Sequence, residues 1–236
     1  MIDHYRTPRT LSLFTVILLA CLALLDVLGA LVGFGLIATP DLTFEIEDGV
    51  LTSVWLMLYG LLALLKLPLY IATIVFFLCW LYRAHYNLQF LKPGVLNFTS
   101  GWAVGWWFIP IANLFMPFKA VREVWSESDP DVSDEPEIFS ATFQSAPTYM
   151  AFWWGAWILS NVLENISGRL YDPDRLDDLS SFGTLSIFSG ILGVVAASLA
   201  IMLVMDITNR QEKRYAAIGT IATAATPPPP PMFHQG

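Results

Sequence analysis

Between Leu11 and Ala38 the only charged residue is Asp26, and between Val50 and Tyr82 the only one is Lys66. Runs this apolar belong in hydrocarbon, because a helix needs about 20 apolar residues to cross about 30 Å of bilayer core. Two further runs are of the same kind: Tyr149–Ser167, carrying Glu164, and Phe182–Ile207, carrying Asp206. The pattern predicts an all-α integral membrane protein with four transmembrane helices at about 11–38, 50–82, 149–167 and 182–207. Helices are expected because lipid offers backbone amides no other partner, and the alternation of a membrane barrel is absent. The first run follows Arg6 and Arg9 as in a signal peptide, but it far exceeds the ~7–15 apolar residues of a cleavable one, so it reads as a span.

The segment Gly101–Trp125, GWAVGWWFIPIANLFMPFKAVREVW, is a fifth apolar candidate built wrongly for crossing. Pro110, Pro117 and Asn113 interrupt it, and Trp102, Trp106 and Trp107 crowd its start. Tryptophan favours the headgroup level, which predicts an interfacial or re-entrant element. Lys and Arg placement decides against a fifth span. With four spans, one side carries Arg6, Arg9, Arg83, Lys92, Lys119, Arg122, Arg210, Lys213 and Arg214, and the other only Arg169 and Arg175. A fifth crossing would erase that bias, which marks the cytoplasmic side. The expectation is therefore a multi-pass protein of the cell (plasma or inner) membrane, with both termini and the Trp/Pro-rich segment cytoplasmic.

The second run is predicted to continue as a helix out of the bilayer to Leu91, stopped by Lys92-Pro93-Gly94 and kinked at Pro68. The membrane domain is expected to occupy residues 1–214, with residues 215–236 a disordered Ala/Thr/Pro-rich tail whose Pro227–Pro231 run favours extended polyproline conformation. Asp129–Glu137 reads as a polar cytoplasmic loop. A net charge of −8 excludes a nucleic-acid partner, which needs a basic face. Cys21 and Cys79 have no Cys or His neighbours at metal-ligand spacing, so neither a metal site nor a cofactor is expected.

Charged groups within spans are costly, and so are functional candidates. Asp26 and Lys66 fall at similar depth on adjacent antiparallel helices and are expected to pair. Glu164, near Asn161 and Asn165, either lines a polar cavity or marks the helix leaving the membrane; the latter is favoured by the Gly168-Arg169 that follows. Gly29 and Gly33, Ser186 and Gly190, and Ser189, Gly193 and Ala197 form four-residue ridges that allow close helix packing in lipid. No nucleophile–base motif occurs, so no catalytic residue is assigned.

Two blocks carry a resemblance. Phe77–Leu91 holds Trp80, Arg83 and Asn87; Trp102–Trp125 holds Trp106, Trp107, Pro110, Asn113, Pro117, Lys119, Arg122 and the Glu123–Trp125 end. Together they resemble the bacterial membrane-protein family catalogued as domain of unknown function 4328, over roughly Val50 to Arg214. The resemblance implies a multi-span helical membrane domain and brings no activity to carry over. On physical grounds, Arg83 is expected to stack on Trp106 or Trp107, and Asn113 to bond backbone groups freed by the prolines. Lys119 and Arg122 would lie near anionic headgroups. These residues form an expected binding belt for a lipid headgroup or protein partner, as in a non-enzymatic scaffold or regulatory module. The competing readings are a small oligomeric transporter or channel using Asp26, Lys66 and Glu164, and a lipid-processing enzyme using Arg83, His85 and Glu123. Membrane lipids are the expected partners, with a protein partner or homo-oligomer left open.

Overall fold

The computed structural model describes residues 5–39, 42–46, 50–92, 94, 96–130, 146–170 and 179–224. The long apolar blocks are helices. α1 covers Arg9–Ala38 and is followed by an antiparallel hairpin of β1 (Thr43–Ile46) and β2 (Val50–Ser53), with Thr43 opposite Ser53 and Ile46 opposite Val50. α2 (Val54–Leu91) starts directly from that hairpin. The second apolar run is thus shorter at its start than its composition predicts, because its first four residues pair as a strand. Pro68 lies inside α2 without ending it.

The Trp/Pro-rich segment is not one helix. α3 (Ser100–Gly105) gives way to short 3-10 turns at Trp106–Phe108 and Ala112–Leu114, then to α4 (Met116–Glu127). Pro110 sits in the break and Pro117 in the first turn of α4, where its missing N–H costs nothing. α5 (Thr148–Leu170) and α6 (Leu179–Ala224) complete the chain. α1, α2 and Ser180–Thr220 of α6 are each long and apolar enough to cross a membrane. α5 has the length, at 23 residues, but its three tryptophans, two asparagines and Glu164 leave it less apolar.

α6 runs well beyond the predicted end at Ile207 and overturns a tail beginning at residue 215. Its 46 residues measure roughly 70 Å, over twice the bilayer core. The extension has surfaces to dock on: Gln211 and Arg214 are buried, and the Tyr215 ring stacks on Tyr5 with centroids 4.2 Å apart. The remainder of the predicted tail, including Pro227–Pro231, lies outside the described residues, as does most of the Asp129–Glu137 loop.

The packed core gathers at this projecting end. Trp80, Leu81, Ala84 and Leu88 of α2 meet Val121 and Val124 of α4, Met150 of α5, and Leu203, Val204 and Ile207 of α6, all essentially fully buried. In the apolar windows of α1 and α2 only 17% of residues are buried in the protein, and Leu24, Leu31, Leu61, Leu64 and Leu67 face outward. Lipid solvates such side chains as well as a protein interior does, so spans need no central core, whereas an end projecting into water does.

Candidate functional site

Lys66 Nζ lies 2.9 Å from Asp26 Oδ1 and 2.9 Å from Glu164 Oε1, tying α1, α2 and α5 together. The expected Asp26–Lys66 pair forms. Glu164 joins it instead of simply marking the helix end, while Asn161 and Asn165 turn back to their own helix, donating to Trp157 O and Asn161 O. Space for the Asp26 carboxylate comes from α6: a Cβ on Gly193 would overlap Asp26 Oδ2, and one on Gly190 would lie 2.8 Å from Asp26 O. Gly33 and Gly183 approach equally closely, each Cα facing the other's carbonyl oxygen. The predicted ridges therefore close the α1–α6 seam, except at Gly29, which has nothing within 4 Å.

α1 packs along α2 and α6, and α5 along α6, so α2 and α5 face each other across a gap. That gap is a cavity of about 340 Å³. Its walls are largely apolar and include five aromatic rings, Tyr70 and Phe77 from α2, Trp153 and Trp157 from α5, and Trp107 from the broken segment. Small residues of α6, Gly193, Ala196, Ala197 and Ala200, leave it open. The ionic cluster stands at one end. Beyond it, one turn closer to the hairpin, a second space of about 50 Å³ is lined by Tyr59, Ser186 and Ser189 together with Asp26, Lys66 and Glu164. The cluster is thus a partition between two spaces.

The predicted belt is largely internal. Trp80 is fully buried and donates to Thr208 Oγ1 at 3.1 Å. Asn87 is buried, donating to Arg6 O and Gln211 Oε1. Gln211 in turn donates to Ala84 O and Ser128 Oγ, and Arg214 to Leu91 O and Asp129 O. This network staples the amino terminus, the end of α2, the end of α4 and the extension of α6. Trp107 packs edge-on against Phe77, Trp154 and Trp157, and Trp106 lies tilted against Trp102 with ring centres 4.6 Å apart. Among the described residues no stack of Arg83 on those rings is found, and a cation–π contact is made by Arg210 over Trp125, 4.0 Å from the ring centre. Among the described residues, Asn113 Oδ1 is buried without a hydrogen-bond partner, as are the indole nitrogens of Trp106 and Trp107. Arg83 and Arg122 are half-buried and Lys119 is exposed.

His85 and Glu123 do come together, 3.3 Å apart, with Ser100 Oγ 3.2 Å from the other ring nitrogen. The order Ser–His–carboxylate is that of a nucleophile and its base. All three are buried, however, and neither cavity reaches them. Glu123 also accepts from Asn97 N, Asn97 Nδ2 and Phe98 N. Burial pushes its carboxyl up, but hydrogen bonds from His85 and Asn97 outweigh this and hold it below the usual carboxylate range. The cluster folds the 97–98 turn onto α4 rather than presenting a nucleophile. Asp206 is likewise a tie, accepting from Trp125 Nε1 and Tyr149 Oη and pairing with Arg210.

Sequence reasoning missed Gln211 and Tyr70, and it grouped Glu164 with Asp26 and Lys66 in a polar path without pairing it to the lysine. Gln211 left a usable signal, since it follows the last apolar run at helical spacing, four residues after Ile207 and three after Thr208. Comparison with family models matches residues 49–209 to the family described as Domain of unknown function (DUF4328), and the chain belongs to that family. The matched span contains Lys66 and Glu164, while Asp26 precedes it. Comparison with curated proteins and with solved structures gave no match.

Proposed function

We propose that this member of the DUF4328 family is a four-span membrane protein that holds a small amphiphilic molecule in the cavity between α1, α2, α5 and α6. The observation that carries the reading is the ionic cluster at the end of a mostly apolar cavity lined in part by aromatic rings. Its volume falls in the range of ordinary ligand pockets, about 300–1,000 Å³. Mostly apolar walls with a few converging polar groups are what such a pocket needs. Binding inside the bundle is favoured over a surface scaffold because Trp80 and Asn87 of the belt are spent on internal bonds.

In this arrangement both termini and the projecting core lie on the cytoplasmic side, with α5 as the fourth span. The broken segment enters the interface by its edge: Phe108 is 70% exposed, Ile111 79% and Phe115 61%. Exposed apolar groups of that size belong in lipid. This edge, followed by the cations Lys119 and Arg122, supports a second role in contacting anionic headgroups, at about 1 kcal/mol per charge.

The test uses the protein in lipid nanodiscs and a panel of amphiphiles of positive, neutral and negative charge, read by quenching of Trp107, Trp153 and Trp157. Ala63 lines the cavity yet is exposed, so Ala63→Phe fills the space without crowding a core. Binding by the wild type that is lost in Ala63→Phe is the expected result. Identical signals from the two proteins, or no binding by any probe, would overturn the reading.

A further inference from the structure

From the charge balance of this cavity we infer that its ligand is an organic monocation, a protonated amine on an apolar body. The inference rests on the cavity-binding reading above and names its substrate class. Two carboxylates face one ammonium. Lys66 engages one oxygen of each, and among the described residues no other donor reaches Asp26 or Glu164. With both carboxylates ionised, the cluster carries one excess negative charge and two free acceptor oxygens at membrane depth. An uncompensated charge in such surroundings is costly, and a second cation removes the cost.

The surroundings suit an amine. The ammonium would dock on Glu164 and Asp26 where the two spaces meet, with the hydroxyls of Tyr59, Ser186 and Ser189 on its far side. Its apolar body would lie in the larger space against Trp157, Trp153 and Phe77, whose ring faces attract cations as well as apolar groups. A carboxylate or phosphate would meet two like charges for the single lysine already shared between them. Glu164 is the more accessible arm, its side chain 48% exposed against 11% for Asp26, and so is the natural first contact.

Three isosteres decide the matter: phenylbutylammonium, phenylbutanol and phenylbutyrate, titrated against the wild-type protein in neutral-lipid nanodiscs, with empty nanodiscs subtracted. The ammonium should bind about tenfold or more tighter than the alcohol, as one hydrogen-bonded charge contact supplies, and the carboxylate weakest of all. Glu164→Gln leaves the Asp26–Lys66 pair in place while removing the excess charge. It should bring ammonium and alcohol to within about threefold while alcohol binding stays unchanged. Alcohol and ammonium binding equally to the wild type, or the carboxylate binding best, would overturn the cation assignment while leaving a cavity that binds. Failure of all three to bind would overturn both. The wild-type order decides the question even if the variant folds poorly.

Discussion

Glu123 and Lys66 show how the same residue types do opposite work at the two ends of the molecule. Glu123 is surrounded by donors, so Glu123→Gln turns an amide N–H₂ toward either the Asn97 or the Phe98 amide and should cost about 2 kcal/mol. Its folded carboxyl is held below its ordinary value of 4.5, so the stability it adds is fully present above that pH. It is lost as pH falls from about 4.5 through the folded value. Thermal melts across that window should slope downward in the wild type and more weakly in Glu123→Gln; parallel curves would remove Glu123 from the account. Lys66 neutralises two carboxylates, and Lys66→Met should destabilise by about 3 kcal/mol because it strands both. The triple change Lys66→Met, Asp26→Asn, Glu164→Gln should recover much of the loss, since an absent cluster costs less than a broken one. Melting temperatures in one detergent check both. The Asp26–Lys66 pair was legible because two neighbouring antiparallel helices fix relative depth. Glu164 was not, since its partner is 98 positions away and only the packing of α5 along α6 brings it round.

At the scale of elements, the chain shows two ways of bringing backbones together. The α1–α6 seam depends on missing side chains: a Cβ on Gly183 would meet Gly33 O at 2.8 Å and Ile37 Cγ1 at 3.0 Å. Gly183→Ala should therefore cost about 1–3 kcal/mol by forcing the helices apart, whereas Gly29→Ala, with open space, should be neutral or slightly stabilising. Equal melting shifts for the two would show that the seam tolerates separation. The broken segment is held instead by one side chain reaching a freed carbonyl, Trp154 Nε1 to Leu114 O at 3.0 Å. The stop after Leu91 and the break around Pro110 were readable because proline and glycine act locally. The hairpin was missed although Thr43–Ile46 and Val50–Ser53 flank an Asp-Gly pair, a known hairpin signal, because the second strand merges into an apolar run. The end of α6 was missed for a related reason: once hydropathy falls, only docking partners such as Leu91 O and Tyr5 reveal that the helix continues.

For the whole molecule, the uneven distribution of burial argues for orientation. The end that packs Trp80, Met150 and Ile207 into a dry core also holds Arg83, Lys92, Lys119, Arg122, Arg210 and Arg214, so it is the end that must fold in water. If positive residues remain cytoplasmic, the four-span arrangement would set the hairpin and the Asp26–Lys66–Glu164 end of the cavity toward the outer face. Cysteine labelling separates the alternatives. Ser128 is fully buried on Val124 O and Gln211, so a thiol there would be shielded on either side. Lys119 and Thr43 are both exposed. In a background with Cys21 and Cys79 replaced, Thr43→Cys should react with a membrane-impermeant maleimide on intact cells. Lys119→Cys should react only after the membrane is opened. A fifth crossing through Trp102–Phe118 would place Lys119 on the same side as Thr43, so labelling both from outside would defeat the four-span arrangement. Because that outcome would also place Arg210 and Arg214 with Lys119 on the side opposite Leu91, it conflicts with the bond from Arg214 to Leu91 O and the packing of α2 against α4 and α6. The two ends of that core can belong to one compartment only.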